Sequence, residues 1–334
     1  MQLLLRVMLD LLDERVRVKR RRMRKILRMR IGGGSSELTE HIQRKNQCHG
    51  KNGYPGAISH NSIDLGFRKF SDFSPIPQKY RKKKSNTQIW LSEDHSFFHT
   101  FDSKSGSMKT VTEHLLALTD AGNAAFTARL APGVDPDRML GCRIPQLRRL
   151  ARTLRGTPEA AAFLTQLPHR YYDENNLHGI LLGHIRPTGE ALDALERFLP
   201  HIDNWATCDI TACGMKTLGR APAAALPRIY EWLASRRTYT VRFGVVALLA
   251  HYLDEKFDTH HLDRLTALPG GEYYVDMAVA WAFSVALVKH FEQTLPYFTQ
   301  RRLDRRVHNK ALQKGRESLR IDDARKTILQ RLKY

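Results

Sequence analysis

From Met108 onward the chain repeats one pattern: apolar residues at i, i+3 and i+4, with polar residues filling the gaps. "VTEHLLALTD", "IPQLRRLARTLR", "PEAAAFLTQL", "NNLHGILLGHI", "ALDALERFLPHI", "AALPRIYEWLASRR", "VRFGVVALLAHYL", "YYVDMAVAWAFSVALVKHF" and "ARKTILQRLK" all carry it. Few segments alternate with period two. Pro132, Pro145, Pro168, Pro187, Pro222 and the run Pro269, Gly270, Gly271 mark the joints, where a helix ends or begins. The expected class is all-α, with short turns joining stacked helix pairs.

Three conspicuous side chains recur along this pattern. Trp205 lies near the start of one strong helix, Arg242 near the start of another and Trp281 in the middle of a third, with separations of 37 and 39 residues. These are close to the period of roughly 40 shown by HEAT-like helical repeats. The expected fold is therefore a curved solenoid of HEAT-like antiparallel helix pairs. Residues repeated at its period come out on one side of the stack, and that side is a groove if the solenoid curves.

The first 107 residues lack the pattern. "MQLLLRVMLDLLDERVRVKRRRMRKILRMR" reads as a short basic helix, "IGGGSS" stops it, and the rest is rich in Ser, Asn, Lys and Gly. The opening apolar run is too short, and too soon followed by arginines, for a secretory signal or a spanning helix. Residues 1–107 are expected to be a disordered basic extension or a spurious one that is not translated, with residues 108–334 as the folded domain. A membrane partner is not expected.

Charge narrows the partners. Lys and Arg number 54 against 34 Asp and Glu, a net +20, and a polyanion is the expected partner. Residues 108–334 contribute 32 basic and 24 acidic side chains, so the excess survives without the extension. The stretch "RRLDRRVHNKALQKGRESLR", with Lys310, Lys314 and Arg316, and the helix carrying Arg148, Arg149, Arg152 and Arg155 supply cations that suit a duplex backbone. Such runs are also what an ordinary solvated helix face contains. The four cysteines, Cys48, Cys142, Cys208 and Cys213, form no metal-binding spacing, so neither a metal nor another cofactor is expected. They fit a reducing, cytoplasmic setting. A monomer is the expected state, nucleoid-associated where the polyanionic partner is DNA.

"HIDNWATCDITACGMKTLGR" carries the candidate chemistry. Residues four apart on a helix share a stripe, so Trp205, Asp209, Ala212 and Lys216 line up, beside an expected core stripe of Ala206, Ile210 and Cys213. Such a flanking stripe is either a groove lining or ordinary packing near a helix N-terminus. Arg242, the one formal charge in "YTVRFGVVALLAHYL", is flipped out to solvent or held by a carboxylate or a phosphate. Trp281 sits in a segment apolar on nearly every face, which reads as core.

Six collinear segments, "LAPGVDPDRMLGCRIPQLRRLAR", "LPHRYYDENNLHGILL", "DNWATCD", "YTVRFGVVALL", "YYVDMAVAWAF" and "HNKALQKGRES", together resemble the AlkD-like DNA alkylation repair family, HEAT-like helical DNA glycosylases. The resemblance runs from about Met108 to near the C-terminus. It implies duplex DNA containing purines alkylated at N3 or N7, bound in a basic groove, and hydrolysis of their N-glycosidic bond. Residue by residue, it places the family's tryptophan and catalytic aspartate on Trp205 and Asp209, its second groove tryptophan on Trp281, and its groove arginine on Arg242, or on Phe243 if the register slips by one. Arg242, on a phosphate flanking the lesion, and Lys216, Arg148, Arg152, Lys310, Lys314 and Arg316 are the expected DNA-binding cations. One residue departs from the pattern: Asp276 stands where the characterised branch leads one to expect a basic or neutral residue. The competing expectations are a non-catalytic solenoid that binds distorted or branched duplex, and a protein-binding HEAT scaffold.

Overall fold

Local chemistry sets the helix ends. The Thr110 hydroxyl and the Glu113 carboxylate cap one another's backbone N–H groups, and Asp120, Asn204, Asp304 and Asp322 each accept a bond from a first-turn N–H. The computed structural model describes residues 110–334, so the extension expected over residues 1–107 lies outside the described residues. Within them the chain is helical and has no strand. In order come α1 (Val111–Leu116), α2 (Ala121–Leu130), α3 (Ile144–Leu154), α4 (Pro158–Thr165), α5 (Tyr172–Leu182), α6 (Thr188–Phe198), α7 (Trp205–Gly214) and α8 (Thr217–Arg220). There follow α9 (Pro222–Leu233), α10 (Thr238–Tyr252), α11 (Thr259–Thr266), α12 (Tyr273–Lys289), α13 (Phe291–Thr299), α14 (Arg305–Arg316) and α15 (Asp323–Arg331).

The helices form two rows. In the inner row α3, α5, α7, α10, α12 and α14 each pack on the next. In the outer row α4 and α6 pack on α5, α9 and α11 on α10, α13 on α12 and α15 on α14. This is the expected all-α solenoid of helix pairs. Inner neighbours meet at similar depth from their N-termini: Thr207 with Asn176, Asp209 with Arg242, and the ring of Tyr239 with that of Tyr274. The inner helices therefore run in the same direction, and their N-termini share one rim.

The repeat is shorter than expected. Inner helices begin at residues 144, 172, 205, 238, 273 and 305, steps of 28 to 35 rather than 37 and 39. The difference has a simple origin. Trp205 opens α7, Arg242 lies one turn into α10 and Trp281 two turns into α12, so the three markers climb one turn per repeat and lengthen the apparent period.

Close lateral packing has its own requirements. A Cβ on Gly179 would lie 1.9 Å from the Thr211 hydroxyl, so only glycine lets α5 approach α7 this closely. Ahead of α3, the buried Asp173 carboxylate accepts the backbone N–H groups of Leu140 and Cys142 at 2.7 Å and tethers that loop to α5. Between α4 and α6, Phe163 stacks on His169, a His169 ring nitrogen lies 2.8 Å from one of His178, and His178 stacks on Phe198. Only one of the two facing nitrogens can carry a proton, so the two rings cannot both be charged in this stack.

Burial pushes the His169 imidazole down to about 4 and that of His178 down to about 3. Both folded values lie below the ordinary 6.5, so the unfolded chain takes up protons first as pH falls. This contribution to stability is full above about pH 6.5 and is lost progressively toward pH 4 and below. Urea unfolding midpoints should drop between pH 7 and pH 5, and His178→Phe should flatten part of that slope. Equal slopes for the variant and the wild type would show that the pair does not carry it.

Candidate functional site

The centre of the inner row holds a buried ion pair. The Arg242 Nε donates to one Asp209 oxygen at 2.9 Å and its Nη2 to the other at 2.7 Å, while Nη1 donates to the Tyr274 carbonyl at 2.6 Å. Three helices, α7, α10 and α12, are joined through one guanidinium. Both residues are about 2% exposed. Burial raises the Asp209 carboxyl above its usual value and the two guanidinium contacts oppose that shift; the guanidinium in turn is held more firmly protonated by the carboxylate. The fork-to-fork geometry is that of a carboxylate with a guanidinium, so the pair is ionised at neutral pH.

Trp205 lies one turn before Asp209 and is 8% exposed; its indole N–H donates to the Leu130 carbonyl at 3.1 Å, beneath the end of α2. Behind it, Thr207 donates to Asn176 on α5 at 2.8 Å and its backbone N–H is capped by Asn204. The turn carrying Asp209 is thus fixed from α5 on one flank and from α10 on the other.

Three expectations need correction. Ala206, Ile210 and Cys213 are not the core stripe of α7 but its half-exposed face, whereas Thr207, Cys208, Asp209, Thr211 and Ala212 are buried. A helix wedged between two lateral neighbours buries both flanks, and its polar residues go inward when those neighbours supply partners. Lys216 does not continue the Trp205 stripe: α7 ends at Gly214, and Lys216 is an exposed residue preceding α8. Arg242 is held by a carboxylate rather than standing ready for a phosphate, one of the alternatives its sequence context left open. Phe243 is fully buried, edge-on to Trp232 at 5.4 Å, so the residue facing Asp209 is Arg242.

Asp276 also finds a structural explanation. Its carboxylate, buried and thereby raised in pKa, accepts the Gly271 N–H at 3.2 Å and holds the turn that opens α12. It points about 100° around α12 from Met277 and about 140° from Trp281.

The uncovered faces of the inner helices differ along the row. On α3 that face carries Arg148, Arg149 and Arg152; on α7 it carries Ile210 and Cys213, while Ala206 packs against the cluster of Ala131, Val134, Met139 and Tyr172. On α12 it carries Tyr274, Met277, Val285 and Val288, with Trp281 among them at 5% exposure. On α14 it carries Arg306, Lys310 and Gln313, and there a cleft of about 590 Å³ is lined by these three with Asn309, Arg316, Glu317 and Lys333. Lys314, on the flank of the same helix, has its ammonium pushed down by burial and by the charges of Lys310 and Arg242. Cations therefore stand at the two ends of the row and an apolar strip at its middle, beside the Asp209–Arg242 pair. Sequence reasoning missed Tyr239 and Tyr274, whose rings lie 5.6 Å apart at this rim; aromatics at 172, 205, 239 and 274, one near the start of each of α5, α7, α10 and α12, were the available signal. Among the described residues no group of three or more His, Cys, Asp or Glu side chains could hold a metal ion, and no helix is long and apolar enough to cross a membrane.

Comparison with known proteins gives one match. Residues 111–293 fit the family model described as DNA alkylation repair enzyme. Neither the curated proteins nor the solved structures give a match.

Removing one member of a buried ion pair strands the other charge, at a cost of about 3–5 kcal/mol, whereas replacing both with apolar side chains is close to neutral. Urea unfolding should show Arg242→Ala losing stability on that scale, and Asp209→Leu with Arg242→Met together recovering most of it. A single variant costing under about 1 kcal/mol would mean that the pair is not held as described.

Proposed function

Because the chain belongs to the family of DNA alkylation repair enzymes, we propose that it is a DNA glycosylase that hydrolyses the N-glycosidic bond of purines carrying a positive charge from alkylation at N3 or N7. The observation that carries this reading is the Asp209 carboxylate, held by the Arg242 fork between three helices next to the apolar middle of a face whose two ends are basic.

The chemistry matches those residue types. As the bond between C1′ and the purine nitrogen breaks, its electron pair goes to the ring and cancels the positive charge, so the base leaves neutral without a general acid. The sugar is left as an oxocarbenium-like cation. A water oxygen then bonds to C1′ and its proton passes to a carboxylate or to solvent. Asp209 supplies the anion that stabilises the cation and orients the water. A carboxylate has about four lone-pair positions, and Arg242 occupies two of them. Arg242 then acts as a positioning residue that keeps the carboxylate ionised and aimed. Trp205 and Trp281 supply aromatic faces, able to favour a cationic sugar by roughly 0.5–2 kcal/mol. Arg148, Arg152, Lys216, Lys310, Lys314 and Arg316 neutralise phosphates on either side.

One observation favours a second reading. The Asp209 side chain is only 3% exposed and both its oxygens are engaged, as in a purely structural ion pair. On that reading the same face binds damaged or branched duplex through its backbone without cutting.

A lesion-release assay separates the two. Asp209→Asn should bind alkylated duplex nearly as the wild type does while releasing 7-methylguanine or 3-methyladenine at least about 100-fold more slowly. Wild-type protein that binds but releases no base from any alkylated duplex supports the second reading, and a variant as fast as the wild type removes Asp209 from the mechanism. The basic ends give an independent check. Changing Arg148 and Arg152, or Lys310 and Lys314, to glutamine should lower the slope of log affinity against log salt by about 0.9 for each phosphate that is no longer neutralised. Unchanged slopes for both pairs would remove these cations from the interface.

A further inference from the structure

Where α10 and α12 begin, three tyrosines form a chain of ring contacts that the proposed chemistry leaves unused. Tyr239 lies 5.6 Å from Tyr274 with the rings tilted, and Tyr274 lies 5.2 Å from Tyr273, edge to face. Tyr239 and Tyr274 are half-buried, whereas Tyr273 is 60% exposed. The chain leads directly to the ion pair, since the Tyr274 carbonyl receives Arg242 Nη1. Its base is fixed. Gly271 turns the backbone at a φ of +111°, a conformation that suits glycine, and Asp276 clamps the Gly271 N–H, which sets where α12 starts and where Tyr273 projects. A carboxylate at position 276 thus secures an aromatic step where a basic or neutral residue was expected.

An exposed tyrosine by itself is commonplace. Here it is the outermost of three rings in contact, at the rim next to a candidate glycosylase carboxylate. Any base turned out of the stack near Asp209 loses its stacking energy and needs an aromatic surface outside the duplex.

We propose that Tyr273, supported by Tyr274 and Tyr239, is a stacking platform for a nucleobase displaced from the duplex beside the Asp209–Arg242 pair. This rests on the reading of the adjoining face as the DNA site. It makes the preferred substrate a duplex in which one base has already left, or readily leaves, the stack. The platform is tolerant of base identity, because every base has a face to stack.

The test uses the full chain and two duplexes of identical sequence, one intact and one with a tetrahydrofuran abasic analogue opposite 2-aminopurine, a base that fluoresces when unstacked and is quenched when stacked on a ring. Wild-type protein should prefer the abasic duplex and keep the bound 2-aminopurine quenched. Tyr273→Ala should lose that preference by on the order of 10-fold, with affinity for the intact duplex unchanged, and should leave the bound 2-aminopurine severalfold brighter. Tyr273→Phe should match the wild type. A Tyr273→Ala protein with wild-type preference and wild-type quenching overturns the platform alone. Wild type that binds neither duplex overturns the DNA reading and the platform with it, and its base-release assay shows separately whether the proposed chemistry stands.

Discussion

The Asp209–Arg242 pair is the joint on which the centre of the molecule depends. It connects α7 to α10 through two short bonds and α10 to α12 through the Tyr274 carbonyl. A guanidinium placed among apolar helices must have such partners, because the cost of stranding it exceeds that of most single contacts in the core. Once the pair forms, the depth at which three successive helices meet is set. The neighbouring polar contacts, Thr207 with Asn176 and Cys208 with the Tyr239 carbonyl, then fall into register along the same flanks.

That arrangement bears on what the presence of these two residues means. A carboxylate that serves both as joint and as candidate catalyst is under two separate demands. A protein that had lost its chemistry would still be destabilised by replacing either member alone, so an Asp and an Arg at these positions report on the fold first. Activity has to be judged from the surroundings: the uncovered apolar strip of α7 and α12, and the cations on α3 and α14. Their segregation into basic ends and a neutral middle suits a duplex with a lesion at its centre.

How far the sequence disclosed this depends on which helix is considered. α3 and α14 have one buried flank and one solvated flank, so their periodicity announces both the fold and the cations, and Arg152 and Lys310 lie on the uncovered side as their spacing implies. For α7 the same reasoning misplaced the core. Periodicity assumes that apolar residues are inside and polar ones outside, and it fails where Asp209, Thr207 and Thr211 are buried because Arg242, Asn176 and a helix carbonyl satisfy them. The repeat length was legible only approximately, because the markers used to measure it sit at different depths in their helices. Asp276 looked anomalous in the sequence because its partner, a backbone N–H five residues earlier, leaves no trace in side-chain patterns.

The parallel course of the inner helices has one more consequence. Their N-termini lie along a single rim, and α10 and α12 begin there without a side-chain cap on their first N–H groups. Each helix end presents about half a positive charge from its aligned peptide dipoles. That part of the molecule's field belongs to the backbone. It does not titrate and no substitution of a side chain deletes it, so the attraction of this rim for an anion has a floor set by topology, beneath whatever the lysines and arginines add.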